Sequence, residues 1–185
     1  MADVEQCVAR IATLAADFSN VGGRIEVVEA ATWKSRRLVA EVPPHELRPQ
    51  FVREIFVVAA IGKSVGHRLL IARSDDGRLA GVTTIRPTDP PVVVELGALE
   101  QVRGTGTTML VVAALLWGTQ HGLHVQSPVP AVDFYERLGM DNCWSHVCEW
   151  SPDMVARIEE SVRHLDLLNR LERIDGIGDA EGIDG

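Results

Sequence analysis

The chain has 185 residues, 46% of them hydrophobic and 24% charged, and a formal net charge of −8. That describes one ordinary globular core, too short for two full-sized domains, and its longest apolar run is too short to cross a bilayer, so no membrane partner is expected. The largest basic cluster, "KSRR" at 34–37, falls short of a phosphate-backbone footprint, so nucleic acid is not expected as a partner either.

The three cysteines, Cys7, Cys143 and Cys148, are few and odd in number, and the N-terminus shows no signal-peptide pattern. A reduced, cytoplasmic protein is therefore expected.

In "DVEQCVARIATLAADF" (3–18), Val4, Val8, Ile11 and Leu14 recur at helical spacing, which predicts an amphipathic leading helix before the turn-prone "SNVGG". "RIEVVEA" (24–30) reads as a strand. Weak helical signal follows over 32–41, then a "PP" break, and a stronger helix from Glu46 to about Ile61. "HRLLIAR" (67–73) and "RLAGVTTIR" (78–86), joined through "SDDG", form the clearest hairpin, because Asp-Gly suits a tight connection.

"VVVELGAL" (92–99) suits a strand buried on much of both faces. Thr105 to Gln120 is apolar nearly all round, as a helix pressed between layers would be. A short strand at "LHVQS", a short helix at "AVDFYERLG" and a strand-like "NCWSHVCEW" come next. A closing helix begins at a Ser151-Pro152-Asp153 cap and carries Val155, Ile158, Val162, Leu165 and Leu168 on one side. The final "IDGIGDAEGIDG" is acidic and glycine-rich and reads as a frayed tail. Alternating strands and helices in the second half predict an α/β fold with some parallel pairing.

Between the fourth strand and the apolar helix lies "EQVRGTGTTML" (100–110). A glycine turn at a helix start aims several backbone N–H groups one way and adds the positive end of the helix dipole, an arrangement that binds phosphate. Arg103, Gly104, Thr105, Gly106 and Thr107 supply the candidate N–H groups, with the threonine hydroxyls and the Arg103 guanidinium as supplements. There is no Lys-Ser/Thr pair for a P-loop and no third glycine for a dinucleotide fingerprint.

The spacing Gln101-x-x-Gly104-x-Gly106 resembles the Q/R-x-x-G-x-G/A motif of the GNAT superfamily of acetyl-CoA-dependent N-acyltransferases. "AVDFYERLGM" (131–140) resembles that family's late A-x-x-F-Y-E-K-L-G-F signature, in the right order and at the usual distance. The resemblance spans residues 24–150, leaving a helical extension at 1–23, a closing helix at 151–174 and a flexible tail at 175–185. It implies a GNAT-like mixed central sheet flanked by helices, with extra N-terminal and C-terminal helices. Two departures stand out: Pro128 replaces an asparagine common in the late loop, and a helix follows "WSHVCEW" where the family usually adds a seventh strand.

The resemblance implies acetyl-CoA as acyl-donor cosubstrate, its diphosphate on Arg103–Thr107 and its pantetheine arm in a gap beside Ala98 and Leu99. Gly97 either clears that gap or merely suits tight helix packing. Phe134 and Leu138 would anchor the short helix, with Tyr135 left at the mouth of the site. Tyr135 matches the family's general acid, since a phenol stays protonated at neutral pH and can donate to the departing thiolate. Glu95 falls where relatives carry a base or a water-holder, and equally suits a structural, ion-paired glutamate.

The implied reaction is N-acetyl transfer by direct attack in a ternary complex. The expected acceptor is a small-molecule or peptide amine, a cationic one being favoured by the acidic balance, recognised through residues 31–62 and the late loops. Two rivals are a non-catalytic acetyl-CoA-binding sensor or assembly module, and an N-acyltransferase using longer acyl groups. Cys143 and Cys148 point to opposite faces if they share a strand with His146, and no fourth ligand accompanies them, so no metal is expected. The apolar stripe of the closing helix, unmatched in the family core, leads to the expectation of a homodimer paired through it, the alternative being docking within the chain against the leading helix 3–18.

Overall fold

The computed structural model describes residues 3–29, 67–99, 102–126, 131–143 and 146–174. The helices read over 32–41 and 46–61, together with Gln101, Pro128 and the tail from residue 175, lie outside the described residues.

Helix α1 (Val4–Asn20) is capped by Asp3, whose carboxylate accepts from the Glu5 N–H at 3.1 Å. Strand β1 (Arg24–Glu29) follows, then β2 (Arg68–Arg73) and β3 (Leu79–Arg86). The β2–β3 hairpin closes where sequence places it, through Ser74 N–H to Arg78 O at 2.9 Å and Gly77 N–H to Ser74 O at 3.0 Å. Next come β4 (Val92–Ala98), α2 (Thr105–Trp117), β5 (Leu123–Gln126), the one-turn α3 (Val132–Glu136), β6 (Val147–Trp150), α4 (Pro152–Val162) and β7 (Leu171–Ile174).

The strands form one seven-stranded mixed sheet in the order β6-β5-β4-β3-β2-β1-β7. All neighbours are antiparallel except β4 with β5 and β1 with β7. Helices α1, α2 and α4 pack against one another on one face, with α2 resting on β2 to β5. Helix α2 is buried from Met109 to Ala114, as a uniformly apolar helix between a sheet and two further helices must be.

Helix α4 starts as its cap predicts, with the Ser151 hydroxyl accepting from the Met154 N–H at 3.2 Å and Pro152 in the first turn. It is shorter than the expected 151–174. The helix stops at Val162, a single 3-10 turn follows, and Asp166 adopts a left-handed φ of 54°. This reversal buries Leu165 and Leu167, leaves Leu168 exposed, and returns the chain to pair beside β1. The chain thus provides its own seventh strand, at the far edge of the sheet.

The apolar stripe of α4 takes the alternative course, docking within the chain on the leading helix. Met154, Val155, Ile158 and Val162 are buried inside one chain, against α1 and α2, so the stripe needs no second copy to cover it. Cys143 and Cys148 also differ from expectation, being joined by a disulfide. The strand begins only at Val147, and the chain turns through His146 at φ 61°, so the two cysteines do not alternate along one strand.

Candidate active site

Strands β4 and β5 pair only at Val92–His124 and Val93–Val125. Beyond Val93, β4 runs on to Ala98 while keeping its antiparallel ladder to β3, so the two parallel strands part. A register shift on the β3 side, between Thr84–Glu95 and Ile85–Val93, leaves Val94 as the extra residue of a bulge at the point of separation.

The opening leads to a cleft of about 430 Å³. All seven residues expected to hold the acyl donor line it: Ala98, Leu99, Arg103, Gly104, Thr105, Gly106 and Thr107. Leu14 of α1 and Phe134 of α3 complete its apolar walls. Leu14 is expected from its spacing only as part of the helix stripe and not at this site, because the leading helix lies outside the resemblance.

Helix α2 starts at this cleft with no side-chain cap. Its first internal bond runs from the Thr108 N–H to Gly104 O at 2.8 Å, so the Gly106 and Thr107 N–H groups precede the ladder and remain for a ligand. Other groups are committed. The Thr105 N–H and hydroxyl both reach Val102 O, at 3.3 and 2.7 Å, and the Thr108 hydroxyl reaches Gly104 O at 2.9 Å. These two hydroxyls serve the turn rather than a phosphate.

The two glycines have different tasks. Gly104 has φ 84°, and a Cβ there would lie 1.9 Å from Leu14 O, so helix α1 is what approaches it. A Cβ on Gly106 would meet only Leu96, Ala98 and Phe134, at 3.5 to 3.7 Å, along the cleft wall. The Arg103 guanidinium is exposed and pairs with Asp17 of α1 at 3.1 Å.

Tyr135 and Phe134 exchange the places expected of them. Tyr135 is 4% exposed and belongs to the core, while Phe134 lines the cleft and meets the tyrosine ring edge-on at 5.1 Å. The one-turn helix is set by Leu138, which is buried, and by Trp150, whose indole N–H donates to Leu138 O at 2.9 Å. That fixing rotates Phe134 outwards.

Glu95 is half-buried on β4, directly across from Thr84. The Thr83 hydroxyl donates to Glu95 O at 2.6 Å. Thr84 is fully buried and its Oγ1 has no hydrogen-bond partner, which puts an unused polar atom beside Glu95. Just before β2, burial and then the Arg86 charge hold the His67 imidazole below the usual histidine range. Among the described residues, no group of three or more His, Cys, Asp or Glu side chains could hold a metal, and no helix is long and apolar enough to cross a membrane.

The crystal structure of AtaTR bound with acetyl-CoA superposes on 72% of this chain and 96% of its own, with a TM-score of 0.52 and 15% identity. The chain has the GNAT fold. Two other similar structures are a KacT mutant (73% of this chain, 99% of its own, 14% identity, TM-score 0.42) and AtaT complexed with acetyl-methionyl-tRNAfMet (78%, 99%, 18%, 0.41). No protein-family model and no curated sequence matches the chain.

The AtaT complex corrects the partner reading, which set nucleic acid aside and expected a small-molecule or peptide acceptor. Net charge and runs of basic residues along the sequence do not decide that question, since a fold assembles cations from distant positions.

Proposed function

We propose that this protein is an N-acetyltransferase that transfers the acetyl group of acetyl-CoA to an amine within a ternary complex. The observation that carries the reading is the parting of β4 from β5 directly above the uncapped start of α2, in one cleft with Ala98, Leu99 and Gly106. A thioester arm laid in the gap runs along the edge of β4 that β5 has left, and a diphosphate at its end meets the Gly106 and Thr107 N–H groups and the helix dipole.

In the reaction, the neutral amine nitrogen attacks the thioester carbonyl carbon, the C–S bond breaks, the amine gives up a proton and the thiolate gains one. Glu95 is the candidate to take the amine proton, directly or through water. Tyr135 is the candidate to protonate the sulfur, which requires its hydroxyl to reach the cleft past Phe134. With AtaT solved on an acetylated methionyl-tRNA, aminoacyl-tRNA is the acceptor to present first.

The test follows thiol release from acetyl-CoA with methionyl-tRNA, uncharged tRNA, or no acceptor. Release only with the charged tRNA is expected. Acetyl-CoA that binds by calorimetry but never turns over with any amine would instead establish the non-catalytic sensor.

A further inference from the structure

Beside the cleft lies a second recess of about 490 Å³, lined by Gln6, Arg10, Thr13, Leu14, Arg103 and Arg137, together with Cys7. Leu14 and Arg103 line both cavities, so the two share a wall. The recess draws its cations from three places in the chain: Arg10 on α1, Arg103 before α2 and Arg137 after α3. Among the described residues no carboxylate lines it, although Asp17 pairs with Arg103 at 3.1 Å and the Arg137 Nε donates to Asp133 O at 3.0 Å.

Three guanidinium groups around one hollow repel one another, and an anion relieves that repulsion. Guanidinium forks match phosphate oxygens in pairs, which a lysine ammonium cannot do. Arg10 and Arg137 are exposed and can swing onto an incoming group.

We propose that this recess binds the ribose 3′-phosphate of coenzyme A, with Arg10 and Arg137 as its principal contacts. The inference rests on the acetyl-CoA reading above. The diphosphate on Gly106 and Thr107 and the 3′-phosphate are attached to the same ribose, so a nucleotide leaving the cleft past Arg103 brings its phosphomonoester to the neighbouring hollow. The leading helix then has a role in donor selection, because it provides Arg10 and the Leu14 wall.

The experiment is calorimetric titration of the full chain with CoA and with dephospho-CoA at low salt, for the wild type and for Arg10→Gln/Arg137→Gln. Loss of a phosphate held by two guanidinium groups weakens binding by about 10-fold or more. Wild type should therefore prefer CoA by that factor. The double variant should lose the preference by weakening CoA alone, with dephospho-CoA affinity unchanged. Equal affinity of wild type for the two ligands, or a preference that survives in the variant, overturns the 3′-phosphate site and leaves the acetyl-CoA reading standing. If neither ligand binds wild type, the acetyl-CoA reading falls and this inference falls with it.

Discussion

At the scale of single residues, the two glycines of the loop separate folding from binding. Gly104→Ala places a methyl group against Leu14 O in a left-handed backbone, a strain on the order of 1–3 kcal/mol before any clash is counted. A lowered melting temperature is expected even without ligand. Gly106→Ala meets only ordinary contacts and gains helix propensity of roughly 0.5–1 kcal/mol. It should melt no lower than wild type yet bind acetyl-CoA more weakly by calorimetry, and unchanged affinity would move the diphosphate away from this loop. Tyr135→Phe should keep donor affinity and lower turnover by roughly 10- to 10⁴-fold; a wild-type rate would make Tyr135 a core residue only. His67 gives a pH signature. Its folded form resists the proton that the unfolded chain accepts, so it destabilises the fold as pH drops below about 6.5 and costs nothing well above. The urea midpoint should therefore fall less between pH 7.5 and 5.5 in His67→Gln than in wild type. The loop residues were legible because backbone geometry at a helix start depends on a few neighbouring positions. The buried place of Tyr135 was not, because it depends on Trp150 holding Leu138.

At the scale of elements, periodicity located β1 to β6, since alternation and turn residues act over only a few positions, but it read β7 as part of the closing helix. It could not say what covers an amphipathic stripe. The stripe of α4 is satisfied by α1 and α2, and Ile158 at its centre is fully buried. Ile158→Ala should destabilise by about 2–5 kcal/mol in denaturant unfolding. A loss below 1 kcal/mol would mean that α4 adds little to the core. The end of α4 was misread for a related reason: Leu165 and Leu168 continue a helical pattern, but Leu167 is the residue that is buried, because the chain reverses at Asp166. Tertiary burial on the helix layer, followed by pairing with β1, outweighs helical propensity here.

At the scale of the whole molecule, the flanking helices are parts of the core rather than additions to it. Ile11, Ala15 and Phe18 of α1 are buried at 0 to 1% exposure, in the same cluster as Met109 and Leu110 of α2 and Val155 and Ile158 of α4. Glu5 of α1 also pairs with Arg157 of α4 across the outer surface, though an exposed ion pair contributes little. A helix of 17 residues with a modest intrinsic tendency to form is held mainly by such packing. The central amides of α1 should then exchange with solvent only through the opening that releases β3, with equal free energies in both elements. Exchange measured on the full chain tests this. If α1 opens well before β3, the helix is a separable attachment, and the Gly104 contact with Leu14 would be transient as well. Because Leu14 also lines the cleft proposed for acetyl-CoA, acetyl-CoA should raise protection of α1 together with the start of α2. A response confined to α2 would remove α1 from the binding site while leaving its place in the core intact.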